Sequence, residues 1–309
     1  LRGRIAADVL DDDGFGINPD AWSRQGDKIR RQQYSARADW LPDARQRYFV
    51  DGSVYRGVFA FGGSIEIQER IAFPDTAGTV AVAASGEMVV AGTRSLFFRA
   101  PDGAITAGPD LVSGEGRRFN DGKPDPQGRL VVGTKGPDGS DAETLLRVEH
   151  DGSATVLDDD LTLANGLGWT ADGRRLYTVD TLSRRIHVRD YDPDTGETGP
   201  RRVFLTLDGP GYPDGMTIDA EDHLWVAVWG GGRVLRISPA GEIVGRIDVP
   251  APHTSSVAFA GPELDTMVIT TAQENLTPEE LAAAPLSGRL FTLRPGVRGT
   301  RPLLWAGRS

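Results

Sequence analysis

The feature that most constrains the fold of this chain is a unit that recurs six times along its sequence. Each copy is a polar turn followed at once by a short run of β-branched or aromatic residues. The equivalent turn positions are Ala44, Gly86, Gly128, Gly173, Asp222 and Asp265, at intervals of 42, 42, 45, 49 and 43 residues. Repeats of this length, each with several strands, are typical of a β-propeller, in which one repeat forms one blade.

Each repeat also carries a second apolar run that ends in a hairpin signal such as Asp102-Gly103 or Asp151-Gly152. Helical character is confined to Thr277–Ala284, with a threonine N-cap, proline at the first helical position and acids in the first turn. A two-domain α/β enzyme would need long amphipathic stretches between its strands. We therefore predict an all-β fold, a single six-bladed β-propeller domain over residues 1–309.

The start of the chain falls outside the six repeats. Arg4–Leu10 is largely apolar and is expected to form an outer strand that closes the last blade. Asp11–Ser35 is too long for a hairpin, and we expect it to be an inserted loop segment near the mouth of the central channel.

Composition and charge limit the chemistry and the partners. The chain has no cysteine, which excludes disulfides, thiolate metal sites and cysteine nucleophiles. A net charge of −10 opposes a general affinity for nucleic acid or anionic membranes, and no apolar run is long enough to span a bilayer. We expect a small-molecule substrate, a monomer or weak homo-oligomer and a cytoplasmic location. Secretion stays open because the chain begins at Leu1 rather than at methionine.

In a propeller, the segment that enters the innermost strand of each blade lies at the central channel. The positions eight residues before the equivalent turns are Ala36, Gly78, Asn120, Asn165 and Asp214 in the first five repeats. In the sixth repeat the equivalent position is not fixed to one residue and falls within Thr254–Val257. Three consecutive repeats thus place at one level the oxygen donors that hard divalent cations prefer. The alternative is a purely local role, since Asn and Asp are also favoured in turns.

Long motifs surround these positions. They are Arg118-Phe119-Asn120-Asp121-Gly122-Lys123, Asn165-Gly166-Leu167-Gly168-Trp169, Pro213-Asp214-Gly215-Met216 and Trp229-Gly230-Gly231-Gly232-Arg233-Val234. In these motifs the chain resembles the senescence-marker/regucalcin/gluconolactonase family of six-bladed propellers, and the similarity runs from Trp40 towards the C-terminus.

This resemblance implies one divalent cation on the axis (Ca, Zn, Mn or Mg) and no organic cofactor. Asn120, Asn165 and Asp214 match three of the family's four metal ligands. The resemblance also implies that Arg118 binds substrate oxygens and that Asp214 doubles as a general base.

The fourth ligand of the family is absent. It is a glutamate four residues before a tryptophan, and here Ala36 stands at that distance from Trp40. With a single carboxylate among the implied ligands, the affinity for a cation is expected to fall. Asp39 and the acids of Asp11–Ser35 are the candidates to replace that carboxylate.

The expected function is metal-dependent hydrolysis of a small, sugar-lactone-like cyclic ester in the axial pocket. The metal would polarise the lactone carbonyl and orient a water, with Asp214 as the base and Arg118 holding a substrate oxygen. Asp121 is a further candidate substrate contact, and so is His253, which enters the sixth repeat. The sequence has no Gly-x-Ser-x-Gly elbow, so a serine hydrolase is not supported.

Two other classes of function stay open. The missing glutamate and the additional segment favour a divergent enzyme on the same scaffold, either a phosphotriesterase or an isomerase, cyclase or lyase. A non-catalytic binding propeller is the second alternative.

Three further histidines and three tryptophans are not expected to take part in the site. His150, His187 and His223 fall beside hairpin or strand positions and are expected at the surface. The indoles of Trp169, Trp225 and Trp229 are interpreted as blade packing rather than a ligand cage.

Overall fold

The repeats of the sequence fold into antiparallel sheets. The computed structural model describes residues 2–3, 38–40, 45–50, 53–59, 65–137 and 139–308. In chain order the strands are β1 (Arg2–Gly3), β2 (Ala38–Trp40), β3 (Arg45–Val50), β4 (Ser53–Phe59), β5 (Ile65–Ala72), β6 (Thr79–Val82), β7 (Met88–Ala91), β8 (Ser95–Arg99), β9 (Ile105–Asp110), β10 (Arg118–Pro124), β11 (Leu130–Lys135), β12 (Glu143–Val148), β13 (Ala154–Leu161), β14 (Ala164–Trp169), β15 (Arg175–Asp180), β16 (Arg185–Asp190), β17 (Arg202–Thr206), β18 (Tyr212–Ile218), β19 (Leu224–Trp229), β20 (Arg233–Ile237), β21 (Ile243–Asp248), β22 (Thr254–Ala260), β23 (Thr266–Thr271) and β24 (Phe291–Leu293).

Strands that follow one another along the chain pair within the same sheet. The orders are β2-β3-β4-β5, β6-β7-β8-β9, β10-β11-β12-β13, β14-β15-β16-β17, β18-β19-β20-β21 and β22-β23-β24, with β1 parallel to β21 on its outer side. First strands contact each other in the series β6, β10, β14, β18, β22 and β2. They therefore surround a common axis with the later strands outside, which is the arrangement of a propeller. The predicted all-β propeller fold is confirmed, while the predicted closing strand Arg4–Leu10 and inserted segment Asp11–Ser35 lie outside the described residues.

The hairpin turns between the first and second strands hold the equivalent positions of the repeats. The residues with positive φ in these turns are Gly86 (88°), Gly128 (80°), Gly173 (72°), Asp222 (58°) and Leu264 (52°). In the sixth repeat the left-handed residue is Leu264, one position before the expected Asp265. The predicted register of that repeat is therefore wrong by one residue.

The apolar faces of neighbouring sheets pack on one another and form the core. Trp169 and Trp225 are buried there and make edge-to-face contacts with Tyr191 and Phe259, at centroid distances of 5.6 and 6.3 Å. The prediction of a packing role is confirmed for these two indoles.

The expectation that His187 lies at the surface is wrong. His187 stands on β16, is only 5% exposed and is paired across the sheet with Thr178. Burial lowers the pKa of His187 to about 4, and the charge of Arg201 lowers it further. Four consecutive residues of β16 are buried, so neighbouring blades cover both of its faces and the strand shows no polar alternation. His150 is exposed and His223 is half-buried.

One short helix is present in the described part of the chain, α1 (Pro278–Ala283). The Thr277 hydroxyl accepts a hydrogen bond from the Glu280 backbone N–H at 3.2 Å, and the Thr277 N–H donates to the Glu280 carboxylate at 2.7 Å. This capping box confirms the predicted helix. None of the described helical structure is long and apolar enough to cross a membrane.

A buried carboxylate anchors the turn between β18 and β19. Asp219 is fully buried and accepts hydrogen bonds from the backbone N–H groups of Glu221 (3.0 Å) and His223 (2.9 Å). Its other oxygen accepts from Trp225 Nε1 at 2.9 Å and from the Arg236 guanidinium at 2.7 Å. Because a buried carboxylate is costly unless its oxygens are satisfied, these bonds hold the turn to the two following strands.

We expect Asp219→Ala to lower the free energy of unfolding by about 3–5 kcal/mol, because it leaves the Arg236 guanidinium without its buried partner. The control is Asp248→Ala, which removes an exposed ion pair with Arg246 and should cost less than about 1 kcal/mol. Urea denaturation followed by tryptophan fluorescence measures both changes. Equal losses in the two variants would contradict the structural role of Asp219.

Candidate functional site

Four inner strands carry a β-bulge at the same level, close to the start of each strand. In β10, β14, β18 and β22, two residues oppose a single residue of the neighbouring strand. The bulged pairs are Asn120 with Asp121, Asn165 with Gly166, Asp214 with Gly215, and Ser255 with Ser256. A bulge interrupts the ladder and redirects side chains, as happens beside many active sites. Asn120, Asn165 and Asp214 therefore occupy equivalent positions in three successive blades, and Ser255 takes that position in the sixth repeat.

Glycines allow the inner strands to approach one another at this level. A side chain at Gly166 would collide with the carbonyl oxygen of Asp214, and one at Gly215 would collide with Ser256. In the second repeat, a Cβ on Gly78 would lie 2.6 Å from the carbonyl oxygen of Phe119. The second repeat thus contributes close backbone contact to the axis and no side-chain donor.

Hydrogen bonds orient the two asparagine amides. Asn120 Nδ2 donates to the carbonyl oxygen of Ala164 at 2.9 Å and to Asn165 Oδ1 at 3.2 Å. Asn165 Nδ2 donates to Thr181 Oγ1 at 3.0 Å, and the Thr181 hydroxyl donates to the carbonyl oxygen of Pro213 at 2.9 Å. This chain of bonds links three blades and ends beside Asp214.

The Asp214 carboxyl lies in a desolvated position. Burial raises its pKa well above the ordinary value, and the nearby charges of Asp121 and Glu274 raise it further. The positive charge of Lys135 opposes this shift. A carboxylate in such surroundings gains from a bound cation, because the cation offsets both the lost hydration and the neighbouring negative charges.

Two positive side chains stand beside this carboxyl. Arg118 and Lys135 are directly opposite each other on β10 and β11, and both are half-buried. Burial lowers the pKa of Lys135 to about 8, and the charge of Arg118 lowers it too, while Glu274 and Asp214 raise it. Arg118 also donates to the carbonyl oxygen of Phe119 at 2.7 Å and to Asn120 Oδ1 at 3.3 Å.

Lys135 and Glu274 were not among the residues predicted from the sequence. Glu274 follows β23 and is half-buried, and burial raises its pKa against the opposing charges of Lys135 and Arg118. A usable signal for Lys135 was its rarity, because 31 of the 34 basic residues are arginine. No comparable signal marks Glu274, since it follows β23 in the sixth repeat and meets Arg118 and Lys135 of the third repeat only in the folded protein.

His253 lies at the rim of the pocket. Its ring stacks on the indole of Trp229, with centroids 4.2 Å apart and planes 12° apart. The packing expected of Trp229 is therefore against His253, at the rim of the pocket. Burial lowers the pKa of His253, and a hydrogen bond to the backbone of Glu274 opposes that shift. The structure thus places His253 next to Glu274 rather than in contact with the two asparagines.

Below the bulges, the channel continues as a separate cavity of about 220 Å³ towards the opposite mouth. Asp121 lines this cavity, and its carboxylate accepts a hydrogen bond from the Gly122 N–H at 2.7 Å. Lys123 crosses the channel and donates from Nζ to the carbonyl oxygen of Met216 at 2.7 Å. Asp121 therefore lies on the floor between the pocket and the lower cavity.

Three oxygen donors in the pocket could hold a metal ion: the amide oxygens of Asn120 and Asn165 and the Asp214 carboxylate. All are hard ligands of the kind that Ca²⁺, Mg²⁺ and Mn²⁺ accept, and the desolvated Asp214 carboxylate is a position where positive charge is favourable. The residues therefore fit a divalent cation, although they supply only one negative charge. Ala36 and the acids of Asp11–Ser35 lie outside the described residues, and so does the side chain of Asp39.

A second group of metal-ligating residue types occurs in the described part of the chain, Asp219, Glu221 and His223. Both oxygens of Asp219 already accept hydrogen bonds from the turn, Trp225 and Arg236. This group therefore has a structural role in the hairpin.

The chain is similar to known proteins over most of its length. Residues 40–273 match the sequence profile of the SMP-30/gluconolactonase/LRE-like region. Pentonolactonase XacC of Haloferax volcanii is 33% identical over 237 residues, which cover 75% of this chain and 79% of that protein. Regucalcin of Danio rerio is 37% identical over 231 residues, covering 72% and 78%. The crystal structure of a calcium-binding protein, regucalcin, from Agrobacterium tumefaciens has a TM-score of 0.81 at 29% identity and covers 89% of this chain and 95% of that chain.

The matched segment extends over well more than half of the sequence and contains the bulged residues of β10, β14 and β18. These motifs lie on a propeller of the same overall shape as the Agrobacterium protein. The chain therefore belongs to the SMP-30/gluconolactonase/LRE-like family.

Proposed function

We propose that this protein is a metal-dependent hydrolase that opens a small, sugar-like lactone in its axial pocket. The observation that carries the proposal is the placement of Asn120, Asn165 and Asp214 at one level of the ring, beside Arg118. A lactone substrate is supported by the pentonolactonase of Haloferax volcanii, and a divalent cation by the calcium-binding protein of Agrobacterium tumefaciens.

The side chains of the pocket suit attack of water on an ester carbonyl. A divalent cation bound by Asn120, Asn165 and Asp214 would supply Lewis acidity at the lactone carbonyl. Asp214 accepts a proton from the attacking water at a carboxylate oxygen. Arg118 has five N–H donors, so it holds a substrate oxygen while it keeps its bond to Asn120.

The bonds formed and broken define the products. The water oxygen joins the acyl carbon, and the bond from that carbon to the ring oxygen breaks. The ring oxygen takes up a proton and leaves as a hydroxyl, so the product is a hydroxy acid.

The same proposal takes the propeller as one domain of six blades, one for each sequence repeat. The grouping of the described strands by repeat supports this count. The chain acts on a small molecule in the cytoplasm, as a monomer or weak homo-oligomer and without an organic cofactor. Its net charge of −10 supports the absence of a nucleic-acid partner.

We expect Asp214→Asn to reduce lactone hydrolysis by about a hundredfold or more, because the amide cannot accept the proton from water. The measurement is proton release in a pH-stat on a panel of sugar lactones, with the protein saturated with a divalent cation. Asp190→Asn, at the exposed end of β16, is the matched control and should keep wild-type rates. The lactonase proposal fails if metal-loaded wild type releases no protons above buffer, or if Asp214→Asn is as active as the control.

We expect the protein to bind a divalent cation weakly, with a Kd of about 0.1–1 mM, since one carboxylate compensates for little of the ion's lost hydration. Removing the cation with a chelator should abolish hydrolysis, and adding it back should restore hydrolysis. Restoring the family's glutamate with Ala36→Glu should tighten binding by about tenfold or more. Isothermal titration calorimetry with calcium and manganese measures both affinities, and Ala36→Gln is the control for size. Equal affinities in Ala36→Glu and Ala36→Gln would be evidence against the axial site.

A further inference from the structure

The pocket contains two positive side chains placed directly against each other. Arg118 and Lys135 form a cross-strand pair of β10 and β11, in which opposite Cβ atoms lie about 4.5–5.5 Å apart. Like charges in this arrangement destabilise a sheet, and partial burial increases their repulsion. Such a pair is favourable in a protein when a negative group lies within reach of both side chains.

Among the described residues, one negative group interacts with both of these side chains. Glu274 interacts with both Arg118 and Lys135 and is itself half-buried. Asp214 also attracts Lys135, but in the proposed function the divalent cation neutralises the charge of Asp214. With that cation bound, the described residues that interact with Arg118 and Lys135 set the negative charge of Glu274 against these two positive charges.

We propose that the substrate is a lactone that bears a carboxylate, and that Lys135, together with Arg118, binds this carboxylate. Lys135 is then a specificity-determining residue of the pocket. The inference rests on the proposed function and narrows its substrate class from sugar lactones in general to anionic ones.

The chemistry of the two side chains fits this assignment. The Arg118 guanidinium offers a planar fork that matches a carboxylate, and the Lys135 ammonium offers a compact charge beside it. Asn120 lies next to the Arg118 fork and the charge of Asp214 acts on Lys135, so a bound carboxylate and a reacting carbonyl can belong to one small molecule. A neutral lactone would bring no negative charge to offset the repulsion between Arg118 and Lys135.

The test compares two lactones that differ only in the terminal group. D-galactono-1,4-lactone ends in a hydroxymethyl group, and D-galactaro-1,4-lactone carries a carboxylate in its place. With the protein saturated with a divalent cation, we expect kcat/KM for the carboxylate-bearing lactone to be at least about tenfold higher. Similar values for the two compounds, or a preference for the neutral one, would overturn the inference and leave the proposed function standing.

Substitutions of Lys135 assign the preference to its charge. Lys135→Met keeps the length and apolar stem of the side chain and should lower kcat/KM for the anionic lactone by about tenfold to a hundredfold. The loss on the neutral lactone should be smaller by about tenfold, because only the substrate carboxylate differs between the two compounds, and Lys135→Arg should keep most of the preference. Circular dichroism and Tm establish that each variant is folded, and Lys135→Gln replaces Lys135→Met if the latter does not fold. Equal losses on both substrates would show that Lys135 has no role in specificity.

A binding measurement separates failure of this inference from failure of the proposed function. Calorimetry of galactarate and galactonate, the open-chain acids, should show tighter binding of the diacid to wild type and loss of that difference in Lys135→Met. If neither lactone is hydrolysed but this difference is present, the lactonase proposal is wrong and the anion site stands. If the diacid binds no tighter than the monoacid, the anion site is wrong whatever the rates are.

Discussion

The close approach of the inner strands is the constraint on which the rest of the structure depends. Gly78 leaves no room for a side chain against the carbonyl oxygen of Phe119, and Gly166 leaves none against that of Asp214. Strands packed this closely cannot send long side chains inward all along their length. The bulges in β10, β14 and β18 interrupt the hydrogen bonding between strands at one level, and at that level polar side chains reach the axis. The fold thus confines its chemistry to one ring of positions.

The electrostatics of the pocket follow from that confinement. Five charged side chains share a space from which water is partly excluded: Arg118, Asp121, Lys135, Asp214 and Glu274. Asp121 and Glu274 raise the pKa of Asp214, and Arg118 lowers the pKa of Lys135. The balance among these groups, rather than any single residue, decides which ligand charge the pocket accepts.

Much of this arrangement could be predicted from the sequence, because it depends on spacing along the chain. A fixed distance from each hairpin turn identified Asn120, Asn165 and Asp214 as equivalent positions, and the bulges show the same equivalence. The turn position of the sixth repeat was mispredicted because its left-handed residue is Leu264, and leucine rarely adopts a positive φ. Lys135 and Glu274 could not be found by spacing, since Lys135 lies on the second strand of its blade and Glu274 lies after β23 in the sixth repeat. The burial of His187 was missed because blades cover both faces of β16.

The bond from Lys123 to Met216 has a consequence for how the propeller comes apart. In a ring of repeats, each blade contacts mainly its two neighbours, so stability tends to be local and unfolding can proceed blade by blade. Lys123 lies in β10 and Met216 in β18, two strands with β14 between them along the ring, and the two residues are 93 positions apart in the chain. Opening either blade therefore breaks a contact held by the other. This bond therefore couples the third and fifth repeats, although the two are not neighbours in the ring.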